Sequence, residues 1–275
     1  MKASFSTMKS LLLKICAFFV ILLTLIALSP TLFKLTHPRE NFLDAPKRLL
    51  VVFAHTDDEV TNSGLIRHLA NQGSQITLLT LTDGSANPQS NLNACAAGES
   101  ITDCRIRELK NSANLLGAKR VETPLLPDSA LMHHLPQAAE HVKKEIEYSE
   151  PDAILTMEPS GLNGLEDHRA AFLSVAAALK DSHHKPRLLL STLPWPISAF
   201  LPSRIPEKFQ KNIRVFSTRG ELKKIKVADA LLHRSQASTI QGLTLGLGPE
   251  FLFGWIDFET YSIHDTADLR DIISK

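Results

Sequence analysis

From residue 48 onward, short apolar runs alternate with stretches whose apolar positions recur at helical spacing. Arg48–Ala54 (RLLVVFA) is a continuous apolar run with β-branched members, the pattern of a strand buried on both faces. Asp58–Gln72 places Val60, Leu65 and Leu69 at helical intervals and meets Gly73 where a helix would close. Gln75–Thr82 (QITLLTLT) predicts the next strand, and the polar stretch Asp83–Asp103 a long loop after it. A helix follows over Cys104–Leu116, again closed by a glycine, Gly117. Arg120–Leu126, Ala153–Met157, Arg187–Ser191 and Ile213–Ser217 predict further strands, with helices over Leu135–Tyr148, Asp167–Lys180 and Glu221–Gln236. Four prolines, at 194, 196, 202 and 206, predict a loop or lid, and the remainder after residue 242 reads only as glycine-rich. Its GLTLGLG follows a helix rather than a strand, which excludes a dinucleotide fingerprint. Alternating β and α units imply an α/β fold, a Rossmann-like three-layer sandwich on a mostly parallel sheet with right-handed crossovers.

Upstream the pattern changes. Lys2, Lys9 and Lys14 precede an apolar run from Ile15 to Leu28, which Thr31, Leu32 and Phe33 prolong. The 14-residue run suits a signal-peptide core, and its extension to Phe33 reaches the length that spans a thin bilayer. Ala27-Leu28-Ser29 is followed by Pro30, a poor cleavage context. An uncleaved signal anchor over residues 1–33 is therefore favoured over a cleaved signal peptide, with membrane contact through residues 15–33, a polar linker at 34–47 and the domain at 48–275. The lysines before the run slightly outweigh Lys34 and Arg39 after it, which favours an inside N-terminus and a domain on the exported, periplasmic or luminal, side. Cys95 and Cys104, nine positions apart, could form a local disulfide that fits such a location; two free thiols are the alternative.

Thirty basic and 29 acidic residues nearly cancel over a chain of 275, long enough for one α/β domain with a sizeable core. That balance speaks against nucleic acid or a strongly acidic partner. Eleven histidines make metal or acid–base chemistry worth seeking, and spacing must decide where.

Two clusters stand out. Ala54-His55-Thr56-Asp57-Asp58-Glu59 lies where the first strand turns into a helix, the sheet edge at which ligands bind in open α/β folds. Three adjacent carboxylates repel one another; the helix dipole offsets part of that and a cation would offset the rest. Imidazole with carboxylate suits zinc or another first-row divalent metal. A capped helix start with an incidental histidine is the plainer explanation of the same letters. The second cluster, Glu166-Asp167-His168-Arg169, opens another helix. Across one sheet edge it would complete a His–Asp–His set with positions left open for water and substrate.

At these residues the chain resembles the PIG-L/LmbE-like family of zinc-dependent N-acetylglucosaminyl deacetylases, whose pattern is A-H-P-D-D-E followed by H-P-D-H. The resemblance covers most of residues 48–240 and includes Thr82-Asp83-Gly84, Arg105-Ile106-Arg107-Glu108, Leu116-Gly117, Pro127-Asp128 and His233-Arg234-Ser235-Gln236. It implies that His55, Asp58 and His168 hold zinc and that Asp57 is the general base. It also implies that Arg105 and Asp128 grip sugar hydroxyls; a surface salt bridge and a turn aspartate are the ordinary alternatives. Glu59 would orient its neighbours. Two positions depart from the pattern. Thr56 replaces a proline, and Leu165 stands where the first histidine of H-P-D-H belongs. That histidine helps polarise the carbonyl or protonate the amine in the family, leaving His133, His134 or, first among them, His233 as auxiliary candidates.

The leading expectation is thus a membrane-anchored hydrolase of the N-acetyl group of an N-acetylglucosamine-containing substrate, free, lipid-linked or glycan-linked. Leu165 supports a second, a degenerate member that binds sugar or metal without turnover. A magnesium phosphoesterase built on Asp57, Asp58 and Glu59 ranks last, because it leaves His55 and His168 without a role.

Overall fold

The computed structural model describes residues 5–39, 44–180, 182–193, 207–210, 212–243, 246 and 248–269. The four-proline segment expected as a loop or lid lies outside them. Seven strands form one sheet: β1 (Arg48–Phe53), β2 (Gln75–Thr80), β3 (Arg120–Glu122), β4 (Ala153–Met157), β5 (Arg187–Thr192), β6 (Ile213–Ser217) and β7 (Phe258–His264). Their order is β3-β2-β1-β4-β5-β7-β6, parallel from β3 to β5, with β7 antiparallel to both its neighbours. The helices are α1 (Phe5–Thr36), α2 (Ser63–Asn71), α3 (Ile101–Leu116), α4 (Leu135–Ser149), α5 (Gly161–Gly164) and α6 (Glu166–Lys180), then α7 (Glu207–Gln210), α8 (Glu221–Leu232), α9 (Ala237–Leu243) and α10 (Pro249–Trp255).

The apolar run of β1 resolves into two faces with period two. Leu50 and Val52 pack with Ala138 and Val142 of α4 and with Ala170 and Phe172 of α6. Leu49, Val51 and Phe53 pack with Leu65 and Leu69 of α2 and Leu109 and Ala113 of α3. This gives the three layers expected of a central, doubly covered sheet. Ser100 caps α3 by accepting from the Asp103 N–H at 3.1 Å, and Gly117 closes it at φ +83°.

Three expected elements differ, among them the helix expected over Glu221–Gln236, which ends at Leu232 and resumes as a 3₁₀ turn, Arg234–Gln236, and one strand appears that was not expected. The helix expected over Asp58–Gln72 begins as a tight 3₁₀ turn, Asp58–Asn62, before α2, because the carboxylates of the turn point inward. The strand expected over Arg120–Leu126 stops at Glu122, leaving only a bridge between Thr82 and Leu126. β7 occupies the stretch read as glycine-rich remainder. Its sequence, FETYSIH, holds four buried polar residues, so it has no apolar run to announce it. Glu259 is the reason: its carboxylate accepts from the Gly64 and Leu65 N–H groups at 2.9 and 2.8 Å and from Lys226 Nζ at 2.6 Å.

α1 carries a stretch, Leu12–Thr36, long and apolar enough to cross a membrane. Its last turns lie against β6 and β7, with Phe33 packed on Val215, Ile256 and Phe258. Cys95 and Cys104 are bridged, with their Cα atoms 5.3 Å apart.

Candidate metal centre

β1 delivers the chain to the carboxyl edge of the sheet, where the turn after Phe53 is closed by its own carboxylate. Asp58 Oδ2 accepts from the His55 N–H at 2.8 Å. That bond holds a buried Asp58 beneath the imidazole of His55. From the neighbouring β4, the chain passes through α5 into α6, whose first turn carries His168. Its Nδ1 faces the Gly161 carbonyl at 3.1 Å, so Nδ1–H donates there and Nε2 is left as an acceptor.

His55 mirrors this arrangement. Its Nε2 faces Asp128 Oδ1 at 3.1 Å and Asp167 Oδ2 at 3.4 Å, so Nε2–H donates to carboxylate and Nδ1 is the acceptor. The two acceptor nitrogens then meet at 3.2 Å, lone pair against lone pair. His168 Nε2 lies 3.2 Å from Asp58 Oδ1, and His55 Nδ1 lies 3.6 Å from Asp58 Oδ2. Tetrahedral zinc with bonds near 2.0–2.1 Å sets its donor atoms about 3.3 Å apart. Two acceptor nitrogens and a carboxylate at that spacing repel one another until a cation or a proton enters. The titration behaviour carries the same message. Burial alone would lower the His55 pKa, but Asp128, Asp167 and Asp58 outweigh it and hold it well above the ordinary value. Burial would raise the Asp58 carboxyl, yet His168 and His55 hold it well below the carboxylate range. The carboxylates around His55 thus favour a positive charge at this position.

Asp57 stands beside this set with Oδ1 accepting from Arg105 Nη2 at 3.0 Å. Arg105 is only 2% exposed, and its other nitrogens donate to Thr56 Oγ1 at 2.8 Å and the Gly84 carbonyl at 2.7 Å. Gly84 has φ +65°, and a Cβ there would come within 2.9 Å of Arg105 Nε, so this approach requires glycine. Thr56, the departure from the family's proline, thus supplies the acceptor that fixes Arg105. The two residues expected on sugar hydroxyls have protein partners: Arg105 on Asp57, and Asp128 on His55 and on the Ala86 N–H at 2.8 Å.

His233 is fully buried and bonds Glu59 Oε1 through Nε2 at 2.7 Å, behind the turn rather than among the converging donors. Burial would lower its pKa, but Glu59 and Asp229 raise it to about 9. Burial, reinforced by Glu59, raises Asp229 to about 7. His133 and His134 sit on a 3₁₀ turn, Leu131–His134, the first exposed and the second half-buried. Leu165 is 49% exposed, three residues before His168.

The sequence reading assigned no role to Asp167, which also accepts from the Ser129 and Leu131 N–H groups at 2.7 and 3.0 Å. Its place next to His168 was visible; its partner 112 positions upstream was not. Lys226 was missed as well. It donates to the carbonyls of Val60 and Thr61 at 2.6 and 2.9 Å, clamping the 3₁₀ turn Asp58–Asn62 from α8.

Fold and site together give an α/β protein that gathers two histidines and one carboxylate, a set that could hold a cation, at the carboxyl edge of its sheet. Residues 50–179, a little under half of the chain, match the family model described as PIG-L, GlcNAc-PI de-N-acetylase, and over them the chain is similar to the PIG-L/LmbE-like family. It is 29% identical over 157 residues to a 1D-myo-inositol 2-acetamido-2-deoxy-alpha-D-glucopyranoside deacetylase of Rhodococcus erythropolis, covering 49% of this chain and 53% of that one. It is 32% identical over 152 residues to a diacetylchitobiose deacetylase of Thermococcus kodakarensis, covering 53% and 52%. The chain thus spans about half the length of these curated relatives. Among solved structures, the zinc-inhibited form of the teicoplanin deacetylase Orf2 shares the fold with a TM-score of 0.62 at 17% identity, covering 79% of this chain and 98% of that one.

Proposed function

We propose that this chain is a membrane-anchored, zinc-dependent hydrolase that removes the N-acetyl group from an N-acetylglucosamine-containing substrate. The observation that carries it is the convergence of His55 Nδ1, His168 Nε2 and the Asp58 carboxylate at 3.2–3.6 Å, with both imidazoles fixed as acceptors toward one another. A divalent cation held there supplies Lewis acidity and brings the pKa of water toward neutrality. Asp57 takes up the proton as water oxygen adds to the acetamide carbonyl, and Arg105 sets the carboxylate for that transfer. The same proton, returned from Asp57, completes the free amine as the C–N bond breaks and acetate leaves. Asp128 and Asp167 orient His55, and Glu59 with His233 supports the turn from behind.

Leu165 favours a second reading. An exposed leucine donates and accepts nothing at the place where the resemblance puts a polarising histidine, which fits binding without turnover. The test is acetate release by the purified full chain from a panel of N-acetylglucosaminides, with zinc content measured on the same samples. The proposal expects about one zinc per chain and turnover in wild type. Asp57→Asn should keep the metal and lose about 10²–10⁴ in rate. Zinc without turnover in wild type, but turnover in Leu165→His, establishes the second reading; no zinc in any form overturns both.

A further inference from the structure

α1 does not merely tether the domain; its contacts show which way it leaves. Near its C-terminal end, the Pro38 carbonyl accepts from the Val215 N–H at 2.9 Å, and Val215 pairs with Thr260 in mid-sheet. One turn back along the chain, Phe33 stacks on Phe258 at 5.9 Å and Lys34 Nζ reaches Asp257 at 2.5 Å. Phe258 begins β7 and pairs with Ser217, the last residue of β6. Because β6 and β5 are both antiparallel to β7, that end of the sheet is the same carboxyl edge at which β1 delivers His55. Further back still, the Ala27 carbonyl accepts from Trp255 Nε1 at 3.1 Å, beyond the start of β7. α1 therefore climbs from mid-sheet to the carboxyl edge and past it. Its remaining apolar turns, Leu12 to Ala27, continue outward for about 22 Å at 1.5 Å per residue. From β6 to β1 is four strand steps, about 19 Å sideways at roughly 4.8 Å each.

The crossing point is built. Pro30 has no N–H to give the Ile26 carbonyl, and Ser29 Oγ, fully buried, donates to it instead at 2.6 Å. Beside it lies α10, PEFLFGW, four of whose seven residues are large and apolar. Phe251 on α10 is 55% exposed although the helix packs on α8, where Lys226 Nζ lies 5.0 Å from the Phe253 ring. An exposed phenylalanine and a tryptophan that lies alongside an apolar span have the composition of the aromatic belt at a lipid–water boundary.

We infer that α10 is a second contact with the lipid bilayer, made through Phe251 and Trp255, and that α1 and α10 together turn the carboxyl edge, with the metal centre, toward the lipid headgroups. The inference rests on the anchor reading above. It makes the substrate class of the site amino sugars carried at a membrane surface, because a site facing headgroups meets those first.

The test uses the full chain in sealed vesicles of phosphatidylcholine and phosphatidylglycerol. Trp195→Phe leaves Trp255 as the one tryptophan, and brominated phosphatidylcholine should quench its emission. Cys16, the exposed free cysteine of α1, should resist a membrane-impermeant maleimide. For orientation, Cys16→Ser chains carrying Leu165→Cys or Tyr148→Cys are labelled with a donor dye and headgroup acceptors are added. Residue 165 lies at the carboxyl edge, and Tyr148, 74% exposed near the end of α4, at the opposite one, so transfer from 165 should be the stronger. Shielded Cys16, quenched Trp255 and stronger transfer from 165 support the inference. Shielded Cys16 with unquenched Trp255, or with equal or weaker transfer from 165, overturns it and leaves the anchor standing. A reactive Cys16 removes the anchor and the inference with it.

Discussion

Each histidine of the centre spends one ring nitrogen on the protein and keeps the other for the gap it shares with Asp58. The acceptors they donate to are unequal: His168 uses a backbone carbonyl, His55 a pair of carboxylates. Carboxylate partners raise the basicity of a ligating imidazole, and their loss costs about 10–100-fold in metal affinity. Asp167→Asn should therefore weaken zinc binding by about that factor while the chain stays folded, measured by competition with a chelator; unchanged affinity would show that Asp128 alone sets His55. Behind the turn, the buried trio Glu59, Asp229 and His233 makes stability depend on pH. Asp229 holds its proton up to about 7 in the fold against an ordinary value of 3.8, so between those values the folded state binds the extra proton. His233 does the same between 6.5 and about 9. Both make stability fall as pH rises through those windows. Thermal unfolding scans should show Tm falling from about pH 5 to 8, with Asp229→Asn flattening the acidic part of that fall and narrowing the His233 part above about 6.5, where Glu59 alone then holds the imidazolium. A wild-type Tm that rises over this range would contradict the assignment.

At the scale of elements, what the sequence made visible and what it hid divide along a physical line. β1, β2, β4 and β5 announced themselves because strands buried on both faces must be largely apolar, and the edge strand β6 did so through Ile213, Val215 and Phe216 alternating with Arg214. β7 did not, since its buried Glu259 is matched by Lys226 and by two backbone N–H groups from elsewhere in the chain. A periodicity reads only one segment, and this polar residue is satisfied by others. The same holds for the centre: carboxylate crowding marked the turn after β1 and the resemblance singled out His55, Asp58 and His168, whereas the pairing of Glu59 with His233, 174 positions apart, left no local trace. α3 shows a further link between elements. Its first turn holds Cys104, bridged to Cys95, and the next residue is Arg105, which fixes Asp57. A bridge closing a loop of this size contributes roughly 2–3 kcal/mol. Cys95→Ser should lower Tm, and a reductant should lower the wild-type Tm to match while leaving the variant unchanged; equal Tm in all three would mean that the bridge does not form.

For the whole molecule, the apolar helix and the α/β domain are joined through packing as well as sequence, since Phe33, Lys34 and Trp255 tie one to the other. The full chain should stay with membranes through carbonate extraction, detected by immunoblot, and recovery of a mature chain beginning near Ser29 would instead reveal cleavage. The sheet order bears on how such a chain is made. β7 follows β6 in sequence yet is inserted between β5 and β6. A ribosome delivers the strands in chain order, so while α1 is already available to the bilayer, β5 and β6 wait with bare edges for a strand not yet synthesised. Lys226 waits too, its carboxylate partner 33 residues downstream. The turn Asp58–Asn62, clamped by Lys226 and by Glu259 through α2, therefore sets only after β7 arrives. Nascent chains arrested before β7 emerges should be open to protease throughout the domain, and the cation of the proposed centre would enter only once β7 has been delivered.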